Sequence, residues 1–157
     1  MANGRVDIVL INPGDRKQIY QDLWKDYSAI EPPFWVVVIA SYLRNNGVKV
    51  AIIDANAENI SPEEVAVRVN KLNPLLSVVI VYGSQPSAST QNMTIAVKIC
   101  KELKENTSSK VAIGGLHPSA LPNQTMQGES VDFTIEGEGP YTLLSLIRIL
   151  KSKNNDY

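Results

Sequence analysis

Cysteine is almost missing from this chain, with Cys100 the only one in 157 residues. A lone thiol forms no internal disulfide and cannot hold an all-cysteine iron–sulfur cluster. Its apolar position in a predicted helix suits a reducing compartment. An excess of charge of either sign is lacking as well. The 15 basic and 16 acidic residues give a net charge of −1 and are spread along the chain. No field exists to attract nucleic acid or an anionic membrane, and neither is expected as a partner. Nor does any apolar run approach the ~20 residues that cross a bilayer, and the start Met1-Ala2-Asn3-Gly4-Arg5 is polar. The expected location is cytoplasmic.

What is present is a short β-branched run repeated five times, with helical patterns between. Strands are predicted at Val6 to Ile11, Val48 to Ile53, Val78 to Tyr82, Val111 to Ile113 and Phe133 to Ile135. Their continuous apolar character suits a parallel sheet covered on both faces by helices. A chain of this length forms one domain and buries roughly 70% of the surface its unfolded form exposes, so no metal or disulfide is required for folding.

Ser61-Pro62-Glu63-Glu64 predicts a capping box, with Val65, Val69 and Leu72 as the buried stripe behind it. A helix from about Thr90 to Asn106 carries Ala96, Ile99, Cys100 and Leu103 inward. A last one opens at Pro140, with Leu143, Leu146, Ile147 and Leu150 inward and Arg148, Lys151 and Lys153 near its carboxyl end. The polar residues 154–157 form a tail or linker. The run Phe34-Trp35-Val36-Val37-Val38-Ile39 has strand propensity but lies where two parallel strands need a crossover. Helix is predicted from about Pro33 to Asn46, opened by Pro32-Pro33 and closed by Gly47. Residues 13–33 have no clear period. With the next two residues they hold Tyr20, Trp24, Tyr27, Phe34 and Trp35, which suit a cover for a ligand face or a dock for a partner domain as well as they suit a small satellite core.

Four strand ends carry small or turn-forming residues: Asn12-Pro13, Gly83-Ser84, Gly114-Gly115 and Gly137-Glu138-Gly139. In an open α/β sheet ligands bind beyond the carboxyl ends of the strands, where bare backbone lets a large flat molecule approach. Any one of these glycines alone is better explained by an ordinary turn; the set points to a ligand. Familiar nucleotide sites are excluded. Asn12-Pro13-Gly14-Asp15-Arg16 lacks the glycine-rich turn of a dinucleotide site, which leaves Asp54 a capping role. There is no Gly-x-x-x-x-Gly-Lys-Ser/Thr loop, and Gly83 stands where a phosphoacceptor aspartate would be needed.

Gly114-Gly115-Leu116-His117-Pro118-Ser119, followed by the run from Val131 to Leu143, resembles the cobalamin-binding domain of radical S-adenosylmethionine (SAM) enzymes. Pro32-Pro33, then Ala40 to Gly47, then Val50 to Asp54 fit the same pattern in the same order, so the likeness spans nearly the whole chain. It implies a single Rossmann-like, flavodoxin-like α/β domain over residues 1–153, with a five-stranded parallel sheet whose strand ends hold cobalamin. The cofactor-binding residues it implies are Asn12, Pro13, Gly83, Ser84, Gly114, Gly115, His117, Gly137, Glu138 and Gly139. Gly114 and Gly115 would face the nucleotide tail, and Ser84 would donate it a hydrogen bond.

The family's catalytic barrel, with its Cys-x-x-x-Cys-x-x-Cys motif for a 4Fe-4S cluster and SAM, is absent from this chain. A radical SAM partner domain, fused or separate, is therefore expected to perform methyl transfer, a cyclisation or another radical rearrangement. The chain itself shows no catalytic constellation, which leaves open whether it is an enzyme on its own. No metal site is expected from its side chains. His117 follows the fourth strand, whereas the ligating histidine of related domains follows the first. It is read as a tail contact or loop brace, leaving cobalamin base-off with no protein histidine on cobalt. Glu136 and Glu138 are read as helix-start charges, and Ser87 and Ser89 as caps. A flavodoxin-like binder of flavin or another nucleotide, and a ligand-free interaction module, remain the alternatives.

Overall fold

The computed structural model describes residues 6–14, 32–83, 86–128 and 130–154. Five strands are present: β1 (Ile8–Asn12), β2 (Val50–Asp54), β3 (Leu76–Val81), β4 (Lys110–Gly115) and β5 (Phe133–Ile135). They pair in parallel in the order β2-β1-β3-β4-β5. Successive side chains of a strand point to opposite faces, and each face here has its own apolar layer. Ile8, Leu10, Leu76, Val78 and Ile80 meet helices α1 (Phe34–Asn45) and α7 (Pro140–Asn154) on the first face. Val9, Ile11, Val79, Val81, Val111 and Ile113 meet α3 (Pro62–Leu72) and α4 (Pro86–Asn106) on the second. Each fully buried Leu, Ile or Val contributes roughly 1.5–3 kcal/mol relative to exposure.

The run of β-branched residues at 36–39 is helical, as the crossover argument requires. Val36, Ile39, Ala40 and Leu43 are buried on the first face, which offsets the propensity cost, while Val37 and Val38 stay exposed. Gly47, at φ +77°, ends the segment with its N–H donating to the Arg44 carbonyl. In α3 only half of the expected capping box forms. Ser61 Oγ accepts from Glu64 N at 3.3 Å, but the Glu64 carboxylate turns to Arg68 at 2.8 Å. It is Glu63 whose carboxyl is held below its ordinary range, chiefly by Ser61.

Several boundaries differ from the sequence expectation. β1 starts at Ile8 rather than Val6, and β2 at Val50 rather than Val48; just ahead of both strands Asp7 N donates to the Lys49 carbonyl and Lys49 N to the Asp7 carboxylate. β3 starts at Leu76, and β4 runs on through Gly114 and Gly115, which pair with Ile80 and Val81. The weak strand propensity of glycine concealed that extension. α4 begins at Pro86 rather than near Thr90. Three short helices were not delineated in advance: α2 (Ala55–Glu58), α5 (Leu116–Ala120) and α6 (Pro122–Gly128). No helix among the described residues is long and apolar enough to cross a membrane.

Two carboxylates close the amino edge of the sheet. Asp7 accepts from Lys49 N at 2.7 Å and from Lys151 Nζ of α7 at 2.6 Å. Asp132 accepts from Val111 N, Lys104 and Lys110 within 2.8 to 3.1 Å. Burial pushes the Asp132 carboxyl up, but the backbone N–H and the two ammonium groups outweigh it and hold it below the usual carboxylate range. The opposite edge carries the candidate site.

Candidate functional site

The strand order fixes where a crevice forms. The helix after β1 covers the first face and the helix after β3 covers the second, so the chain parts between these neighbouring strands at their carboxyl ends. Asn12 ends β1 and Pro13 follows it; Tyr82 and Gly83 follow β3. Asn12 Nδ2 donates to Asp54 Oδ1 at 2.8 Å, and the same oxygen accepts from Ala57 N at 3.0 Å. Asp54 thus caps α2, the role left to it by the sequence. Pro13 and Gly14 are buried, and a Cβ on Gly14 would lie 2.3 Å from Asn56 Oδ1. The chain's own α2 therefore fills the space beside that turn.

The glycines of the other strand ends divide into two kinds. A Cβ on Gly83 would come within 2.5 Å of Ala88 Cβ, and one on Gly115, at φ +147°, within 2.1 Å of the Val81 carbonyl oxygen. At Gly114 it would stand 3.3 Å from Ile135 Cβ. There the missing side chain admits neighbouring protein. Gly137, at φ +74°, has open space instead, and Gly139, at φ +86°, packs loosely on Ile135. Glu136 and Glu138 are exposed beside them. Ser84, Tyr20, Trp24 and Tyr27 lie outside the described residues.

On the second face the rim is held by side chains of α4. Ser89, fully buried, donates to the Val81 carbonyl and accepts from His117 N at 3.1 Å. Thr90 Oγ1 meets His117 Nδ1 at 3.0 Å. Ser89, expected to cap, therefore sits inside the helix and ties the end of β3 to the start of α5. Ser87 lies exposed in the first turn of α4. His117 is a brace of the β4–α5 turn in this arrangement, with one imidazole nitrogen turned to Thr90.

Aromatic rings hold the first-face side. Trp35, in the first turn of α1, lies 5.2 Å from Tyr82 with the rings tilted by 31°, and Phe34 meets Trp35 edge-on at 5.6 Å. The Tyr82 hydroxyl reaches past the end of β4 to donate to the Gly137 carbonyl at 2.6 Å. Gly137 N in turn donates to Ser119 Oγ at 3.0 Å. Burial pushes the Tyr82 phenol above its ordinary range, and the Glu138 carboxylate adds to the shift. Tyr82 and Ser119 were not singled out from sequence. A large aromatic directly before a small strand-end residue was the available signal for Tyr82.

Comparison with known proteins shows which family the chain belongs to. Residues 23–147 match the family described as the B12 binding domain. The chain belongs to that family. This B12-binding domain is 27% identical over 118 residues to an anaerobic magnesium-protoporphyrin IX monomethyl ester cyclase of Rubrivivax gelatinosus, a match covering 74% of this chain and 20% of the cyclase. Its fold is shared with the radical SAM methyltransferase TsrM of Kitasatospora setae. The TM-score is 0.73 at 18% identity for the form with tryptophan substrate and a SAM analogue bound, over 93% of this chain and 26% of that one. For the form with cobalamin and a [4Fe-4S] cluster bound it is 0.70 at 17% identity, over 95% and 25%. The cobalamin-dependent SAM radical enzyme OxsB gives 0.61 at 20% identity, over 96% and 19%. The B12-binding domain thus spans about a fifth to a quarter of the length of these relatives.

Proposed function

We propose that the carboxyl rim holds a corrinoid and presents it to a radical SAM catalytic domain, fused or separate. The family match over residues 23–147 carries this reading. The rim fits such a guest: it combines exposed rings at Phe34 and Trp35 with open backbone at Gly137. Among the described residues no group of three His, Cys, Asp or Glu side chains is placed to hold a metal ion. A cofactor whose metal arrives inside its own macrocycle suits that donor set.

Asn12, Pro13, Gly83, Ser84, Gly114, Gly115, His117, Gly137, Glu138 and Gly139 are the residues assigned to the rim. Bound there, the corrinoid supplies cobalt chemistry of the kind that carries a methyl group or supports a radical rearrangement. Ser89 holds the His117 backbone N–H and Thr90 meets its Nδ1, which favours a loop brace over a cobalt ligand; base-off cobalamin with no protein histidine on cobalt is part of this proposal. The single buried thiol, Cys100, supports assigning the 4Fe-4S cluster and SAM to the partner domain, and a cytoplasmic site of action.

Titration of hydroxocobalamin into the full chain, followed by absorption and by thermal melting, tests this reading. Saturable binding with a base-off spectrum that persists in His117→Ala is expected. A histidine-ligated spectrum that vanishes in that variant overturns the axial assignment. Stabilisation by flavin with none by cobalamin overturns the corrinoid.

A further inference from the structure

We propose that Trp35 and Tyr82 form the ligand-facing wall on the α1 side of the crevice, packing against a flat conjugated face of the corrinoid. This rests on the corrinoid reading above and deepens it. Both residues flank the parting between β1 and β3, one in the first turn of α1 and the other directly after β3. Their rings are 5.2 Å apart, while Trp35 remains 38% exposed and Phe34 beyond it 65% exposed. Next to them Val36 and Ile39 are buried, so the helix has an interior for its apolar groups and nevertheless turns two rings to the rim. Exposed rings of this kind gain most from a flat apolar partner that removes them from water.

The wall is also fixed in place. The Tyr82 hydroxyl is held by the Gly137 carbonyl, and Gly137 is held in turn by Ser119. The phenol is neutral at neutral pH, so the Tyr82 ring itself sets no charge against an apolar face. A ring immobilised before the ligand arrives loses little freedom on binding.

The test is hydroxocobalamin binding to the full chain and its Trp35→Leu, Tyr82→Leu and Tyr82→Phe variants, with melting of the ligand-free proteins alongside. Each Leu variant is expected to bind about tenfold more weakly, and Tyr82→Phe, which keeps the ring, to stay within about threefold of wild type. Cobinamide, which lacks the nucleotide base, is titrated in parallel. A Trp35→Leu loss that persists with cobinamide assigns the contact to the corrin ring, and one that disappears assigns it to the base. Oxidative footprinting of the wild type reads the same contact without substitution, and Trp35 and Tyr82 are expected to be protected at saturation. That measurement decides the matter if a Leu variant fails to fold. Wild-type affinity in both Leu variants, or two rings left unprotected at saturation, overturns this inference alone. A wild type that does not bind hydroxocobalamin overturns the corrinoid reading and this inference together.

Discussion

Gly115 is the position where one added methyl would do the most damage. Its φ of +147° strains any L side chain, and the new carbon would lie 2.1 Å from the Val81 carbonyl oxygen. Backbone cannot yield as a flexible side chain can, so Gly115→Ala is expected to cost about 3 kcal/mol or more in urea unfolding. Gly137→Ala meets only conformational strain in open space, and about 1 kcal/mol is expected there. Ser89→Ala leaves the Val81 carbonyl and the His117 N–H without their partner, an expected loss of about 2 kcal/mol in the same measurement. Sequence marked Gly83, Gly114 and Gly115 as strand ends but not what stands beside them. That clearance is set between strands and helices distant in sequence, and no local pattern encodes it. The double role of Ser89 was hidden for the same reason, since a serine near a helix start reads as a cap.

At the scale of elements, topology was more informative than propensity. The residues Val36 to Ile39 favour a strand taken alone, and only the need for a crossover between β1 and β2 makes them helical. The structure shows what offsets that preference: Val36 and Ile39 are buried, whereas Val37 is 50% exposed. Val37→Ala removes a β-branched residue that packs little, and α1 is expected to gain about 0.5 kcal/mol, read as a higher urea midpoint at unchanged slope. Helices with caps or long stripes, α3, α4 and α7, were legible in advance. Helices α5 and α6 were not, because one turn or two of chain carry no period to detect.

The whole molecule has two unlike edges. The amino edge is closed by Asp7 and Asp132, each taking a backbone N–H and at least one lysine, while the carboxyl edge is held by Ser89 and by rings. Asp132 is held below its unfolded value of about 3.9, so its contribution to stability is fully present above that pH and is lost as pH falls through the lower folded value. Asp132→Asn is accordingly expected to destabilise at pH 7 and to approach wild type only as the pH falls through that lowered folded value, checked by urea unfolding at pH 7 and across the acid range. The parallel sheet and its helices on both faces were readable from five apolar runs, and the family from the ordered motifs. The walls of the crevice were not, since they depend on which side chains the strand order brings together.

The Asp7–Lys151 pair has a further implication for how the chain matures. On the ribosome, β1 emerges early, but the helix that completes the first-face layer and clamps its leading carboxylate emerges after β5 has been made. Until then the first-face layer lacks Leu143, Leu144 and Ile147. Nascent chains stalled before residue 140 are therefore expected to be open to proteases and chaperones, and chains whose residue 154 is carried clear of the ribosome by an added linker are expected to be resistant.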